Sequence, residues 1–135
     1  MIGEEPVKMP ELTDGLASLL GLEFHEVGAE RVVIRWQVRP QLHQPHGIQH
    51  GGVYCAVVET AASVGGALWW GERGRVVGVS NQTDFLRAVR EGELTAVGTP
   101  VHRGRSQQLW QVEITDGEAR LVARGQVRLQ NLSPA

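Results

Sequence analysis

The stretch HGIQHGGVYCAVVETAASVGG contains a single Asp, Glu, Lys or Arg, which is Glu59. Eight positions before it stands Gly51, first of the pair Gly51-Gly52. A helix opening at that pair leaves its first four N–H groups without partners inside it. Those groups and the helix dipole suit an oxygen that gains negative charge, and glycine lets a carbonyl come close. Glu59 falls about two turns further in, with Cys55, Ala62 and Ser63 expected on its side of the helix. A helix end that polarises a carbonyl and a carboxylate that attacks it, or activates water, are two of the three parts that acyl transfer to water needs. The third is a water or an attack trajectory.

Other reactive side chains read as structural. His43, His46 and His50 match neither the H-E-x-x-H nor the zinc-finger spacing, so no metal site is expected. Cys55 has no activating base nearby in sequence and reads as a small core residue. Arg103-Gly104-Arg105-Ser106 is a basic turn: either a solvated hairpin, or a clamp for phosphate oxygens that arginine binds bidentately. Arg87, Arg90 and Arg128 are weaker candidates for that task. Trp69 and Trp70 are expected at the helix end or a subunit seam, where one of them could line an acyl pocket.

Residues Gly51–Trp70 read as the helix that positions Glu59. It is apolar nearly all round, so burial on most sides is expected; Glu59 near its centre and four glycines argue against a membrane span. Before it, Pro10–Leu20 reads as a short helix with Thr13 as N-cap. Leu22–Val27 and Arg31–Arg39 read as strands around a turn at Gly28. Val32, Ile34, Trp36 and Val38 alternate with polar neighbours, the period of a half-buried strand. After the helix come strands at Val76–Leu86, Glu93–Arg103, Gln107–Thr115 and Ala119–Leu129. Asp116-Gly117 marks a hairpin turn, and Pro100 implies an edge or a bulge. Two strands, one long helix and four antiparallel strands give an α+β chain: a sheet wrapped around a central helix, the hotdog architecture.

At 135 residues the chain fits one domain, 1–135, with its core at about 12–129. A formal net charge of −2 carries no basic excess for nucleic acid. The N-terminus lacks the basic and apolar regions of a secretory signal. With one cysteine no internal disulfide can form, and a cytoplasmic protein is expected.

The loop and helix resemble those of hotdog-fold acyl-CoA thioesterases of the PaaI-like and 4-hydroxybenzoyl-CoA thioesterase group. The resemblance rests on His50-Gly51-Gly52, on Glu59, on Gln44 fifteen positions before the acid, on Ser63 one turn after it, and on Gly78-Val79-Ser80; it runs from about Leu12 to Leu129. It implies hydrolysis of an acyl- or aryl-CoA thioester, with Glu rather than Asp leaning toward aryl substrates. Gly51 N–H would polarise the carbonyl, with His50 shaping the loop. Glu59 would act as nucleophile or general base, Gln44 would hold water or substrate, and Ser63 and Ser80 would orient the nucleophile. Gly52, Arg103, Arg105 and Ser106 would contact the substrate or its coenzyme A. No cofactor is implied, since coenzyme A belongs to the substrate, and no nucleic acid or membrane partner. A homodimer, paired into a homotetramer, is implied because sites in this group form between protomers. The alternatives are a hotdog dehydratase or hydratase, whose Phe-Pro-Gly-type loop around the histidine is missing here, and a non-catalytic acyl-CoA-binding module.

Overall fold

Every strand marked by the alternating patterns joins one antiparallel sheet. The computed structural model describes residues 5–7, 12 and 14–134. Its elements are α1 (Leu16–Leu20), β1 (Glu23–Val27), β2 (Val32–Val38), α2 (Gly51–Trp70), β3 (Arg75–Phe85), β4 (Gly92–Arg103), β5 (Gln107–Thr115) and β6 (Leu121–Leu132). The sheet order is β1-β2-β4-β5-β6-β3, with all neighbours antiparallel. α2 packs against β2, β3, β4, β5 and β6, which is the expected hotdog fold.

The helix and sheet approach closely because small residues face large ones. A Cβ added to Gly65 would lie 2.5 Å from the Trp110 ring, and one on Gly66 would lie 2.2 Å from Leu129 Cδ1. Trp110 and Leu129 are fully buried, so neither has room to move. Beside them Gln108 accepts from Trp110 Nε1 at 2.8 Å and donates to Gly66 O at 3.1 Å and Asn131 Oδ1 at 2.8 Å. The buried amide therefore fastens the helix to the sheet.

Five details differ from expectation or refine it. α1 begins at Leu16 among the described residues; Pro10 and Thr13 lie outside them. The last strand runs Leu121–Leu132 rather than Ala119–Leu129. Asp116 Oδ1 accepts from the N–H groups of Glu118 and Arg120, both at 2.9 Å, so the turn extends over five residues and Ala119 takes φ 62° within it. At Pro100 β4 has run past its last partner on β2, Gly98, and a bulge follows between Pro100 and His102. Finally, α2 is buried or half-buried over most of its surface but leaves an open side at Glu59. Val53, Val57, Val58, Ala61 and Ala62 face the sheet, whereas Gly52, Glu59, Ala67 and Leu68 are exposed.

Gly65→Ala separates helix propensity from packing. Alanine gains about 1 kcal/mol of propensity, whereas forcing a methyl into a filled core costs about 1–3 kcal/mol. The rigid Trp110 ring puts the cost at the upper end, so the melting temperature should fall on the order of 5 °C. An unchanged or raised melting temperature would show that the helix–sheet spacing is not set there.

Candidate active site

The loop before α2 is held by its own backbone and by distant strands. Gln44 N–H donates to Ile48 O at 2.9 Å, Gln49 N–H to Val89 O at 2.7 Å and His50 N–H to Leu42 O at 2.9 Å. The buried Gln49 side chain accepts from Trp36 Nε1 at 2.9 Å and donates to Leu42 O at 2.6 Å. These bonds deliver His50 to the N-cap of α2 in extended conformation, where its Nδ1 accepts Gly52 N–H at 2.7 Å. An accepting Nδ1 places the neutral ring's proton on Nε2.

The glycine pair is thereby divided. Gly52 N–H is engaged by the His50 cap and Val53 N–H by His50 O, while Gly51 N–H has no acceptor among the described residues. Gly51 is thus free to polarise a carbonyl. It lines a cleft with Gln44, Ile48, Tyr54, Phe85 and Arg87. Gln44 Oε1 accepts His46 N–H, which leaves its NH2 to donate. The Phe85 ring lies so close to Gly51 that an added Cβ would come within 2.5 Å of it.

Glu59 occupies a second cleft, with Leu16, Cys55, Thr60, Ser63 and Asn81. It is exposed in the single chain, and its carboxylate has no ion pair or hydrogen bond among the described residues. Gly78 of β3 faces it: a Cβ there would stand 3.5 Å from Glu59 Cδ. Ser63 lines this cleft as expected, but Ala62 is turned toward the sheet and fully buried.

Ser80 is not in the Glu59 cleft. A bulge between Gly78 and Ser80 inserts Val79, so Gly78 pairs with Leu129, Ser80 with Arg128 and Asn81 with Val127. Leu129 and Val127 are buried under the helix whereas Arg128 is exposed, which turns Ser80 outward and brings Asn81 in. Asn81 Nδ2 donates to Cys55 O at 2.9 Å and its Oδ1 accepts from Thr83 Oγ1 at 2.7 Å. Strict alternation hides this residue; the glycine in the strand was the available signal of a bulge.

The basic turn is also divided. Arg103 donates to Ala29 O at 2.9 Å and to both Glu30 carboxylate oxygens at 2.9 and 3.1 Å. Arg105 and Ser106 are exposed, with the turn backbone held by Asn131, which donates to Gly104 O at 3.0 Å and Ser106 O at 2.8 Å. Trp69 and Trp70 stack with Arg73, at 4.4 and 4.3 Å, at the helix end and line neither cleft. His43 Nε2 lies 2.8 Å from Arg90 O.

A curved sheet around one helix, with a free N–H at the helix start and a free carboxylate along it, defines a class: hotdog-fold hydrolases of thioesters. Residues 46–123 match the thioesterase superfamily, more than half the chain, and the protein belongs to that superfamily. It is 52% identical over 118 residues to a Mycobacterium tuberculosis protein provisionally named an esterase, covering 85% of this chain and 84% of that one. The solved structure of S. sahachiroi AziG superposes with a TM-score of 0.87 at 53% identity, covering 89% of this chain and 98% of that one. The 1,4-dihydroxy-2-naphthoyl-CoA hydrolase of Listeria monocytogenes is 33% identical over 108 residues, covering 80% and 88% of the two chains.

The cap gives a direct test of His50. Replacing His50 with Ala should destabilise the fold by about 1 kcal/mol, the usual cost of a lost N-cap, and His50→Asn should restore most of it. Chemical denaturation of the two variants measures this. Equal stability of His50→Ala and the wild type would remove the capping role.

Proposed function

We propose that the protein hydrolyses an acyl- or aryl-CoA thioester at a site shared by two copies of the chain, with Glu59 as its carboxylate. The carrying observation is that Glu59 is neither buried nor bonded among the described residues. A structural acid would be satisfied by neighbours; this one stands beside an uncovered helix face. The free Gly51 N–H lies in a different cleft, so a second copy is the natural means of bringing the two together.

The uncovered surface supports such an assembly. β3 is a sheet edge, where unpaired N–H and C=O groups invite another strand. Val77 and Val79 on it are 45% and 53% exposed, and Glu59 on the adjacent helix face is exposed too. A second copy lying along β3 and this face would cover both; pairing of two such dimers would give the tetramer proposed from family resemblance.

In this reading the substrate carbonyl oxygen accepts from Gly51 N–H of one protomer, with the Gln44 amide donating nearby. By one route Glu59 of the other copy takes a proton from a water that attacks the carbonyl carbon, which expels coenzyme A as its thiol and leaves the free acid. By the other it attacks that carbon itself, which expels coenzyme A and leaves an anhydride on Glu59 that water then hydrolyses to the free acid. Ser63 sits one turn from Glu59 to orient it. Arg105 and Ser106, with their side chains outward, offer phosphate contacts, whereas the Arg103 guanidinium is already held by Glu30. The reaction uses no cofactor, and we place it in the cytoplasm.

Glu59→Gln keeps size and shape but removes the charge, so kcat should fall by about 10²–10⁴ with the melting temperature nearly unchanged. A folded variant with near-normal kcat would remove Glu59 from the mechanism. Mixing tests the shared site. Glu59→Gln and Gly51→Val should each be inactive alone, the valine blocking approach to the N–H. Refolded together, they should regain about a quarter of wild-type activity, because half of the dimers would be mixed and carry one intact site. No recovery in confirmed mixed dimers would place Gly51 and Glu59 of one chain in the same site.

A further inference from the structure

Tyr54 holds a polar group that neither the fold nor the hydrolysis uses. It lies three residues after Gly51, on the same side of α2, and helical side chains lean toward the N-terminus. Both residues line the cleft that contains Gln44. The Tyr54 ring meets Trp36 edge-on at 6.3 Å between centroids and Phe85 at 5.9 Å. The residue is 2% exposed, and its hydroxyl is enclosed without a hydrogen-bond partner among the described residues.

The neighbours do not relieve it. Trp36 Nε1 is committed to Gln49 Oε1, and Gln49 Nε2 to Leu42 O. A buried hydroxyl without a partner is a standing cost to the fold, and phenylalanine would fill the same space without it. Burial pushes the phenol up to about 12, so the group remains a protonated donor at any working pH. The outer wall is Phe85, which is 55% exposed and rests on Gly51. Exposed rings change rotamer quickly, and outward rotation of this one would widen the cleft that Gly51 and Tyr54 line.

We propose that the Tyr54 hydroxyl selects the acyl part of the substrate by donating a hydrogen bond to an oxygen carried on the acyl group away from the thioester. This rests on the thioesterase reading and adds a substrate feature to it. The acyl group is flat enough to lie among the Trp36, Tyr54 and Phe85 rings and bears a hydroxyl or carbonyl oxygen beyond the reacting carbon.

The test compares benzoyl-CoA with its monohydroxylated isomers on the full-length wild type, Tyr54→Phe and Glu59→Gln. In the wild type, kcat/KM for at least one hydroxylated isomer should exceed that for benzoyl-CoA by about ten-fold or more. Tyr54→Phe should bring that ratio to about one. Because the chain contains one tyrosine, a 3-fluorotyrosine label reports on this residue alone. Its ¹⁹F resonance should move with the matching hydroxybenzoate and not with benzoate, a readout that does not require the phenylalanine variant to fold. A wild type without preference for any isomer, a preference that survives in Tyr54→Phe, or a label that responds equally to both acids would overturn the proposal. If Glu59→Gln is inactive, such a result removes only the role of Tyr54. If Glu59→Gln hydrolyses normally, the site is misassigned and the Tyr54 proposal falls with it.

Discussion

The closeness of α2 to the sheet is the constraint on which the other features depend. Gly65 and Gly66 let Trp110 and Leu129 fill the space where side chains of the helix would otherwise stand. At that distance Gln108 reaches the Gly66 carbonyl, and the same amide is joined to Asn131, which holds the Gly104–Ser106 turn. One buried polar chain thus runs from the helix to the tip of the β4–β5 hairpin. Satisfied networks of this kind rigidify what they connect. With its small-residue side against the sheet, the helix must turn Glu59 outward.

The groups proposed for chemistry are the ones the fold leaves unengaged. Around the helix start, His50 takes Gly52 N–H, Gln49 takes the Trp36 indole and Gln44 Oε1 takes His46 N–H. What remains is Gly51 N–H, the Gln44 NH2 and the Tyr54 hydroxyl, together with the Glu59 carboxylate further along. Polar groups are normally paired in folded chains, so these free ones are informative. The surrounding bonds also hold the loop in place, a requirement for a donor aimed at a developing charge.

Much of this was legible in the sequence. The central helix is found over Gly51–Trp70 as expected, because an apolar run begins at a glycine pair and ends at two tryptophans. Glu59 stood out as the one formal charge in that run. The strands were legible from period-2 alternation, but the Val79 bulge was not, since it changes the facing of Ser80 and Asn81 without changing their types. Arg103 looked free because Glu30 is 73 positions away. The apolar helix correctly signalled burial, yet composition does not say that the side carrying Glu59 stays open. Nor does a tyrosine in a helix announce that its hydroxyl has no partner.

The sheet order has a consequence for synthesis of the chain. β3 is completed at Phe85, but its only neighbour in the sheet, β6, begins at Leu121. During translation at about 5–20 residues per second, the intervening 36 positions (121 − 85) take on the order of seconds. Throughout that interval β3 has neither of its edges paired, and the helix it should flank is already made. The last strand to leave the ribosome is therefore the one that inserts between β5 and β3 and closes the sheet. A nascent chain halted before β6 would present a strand with no place in the fold, the state in which chaperone capture or aggregation would act.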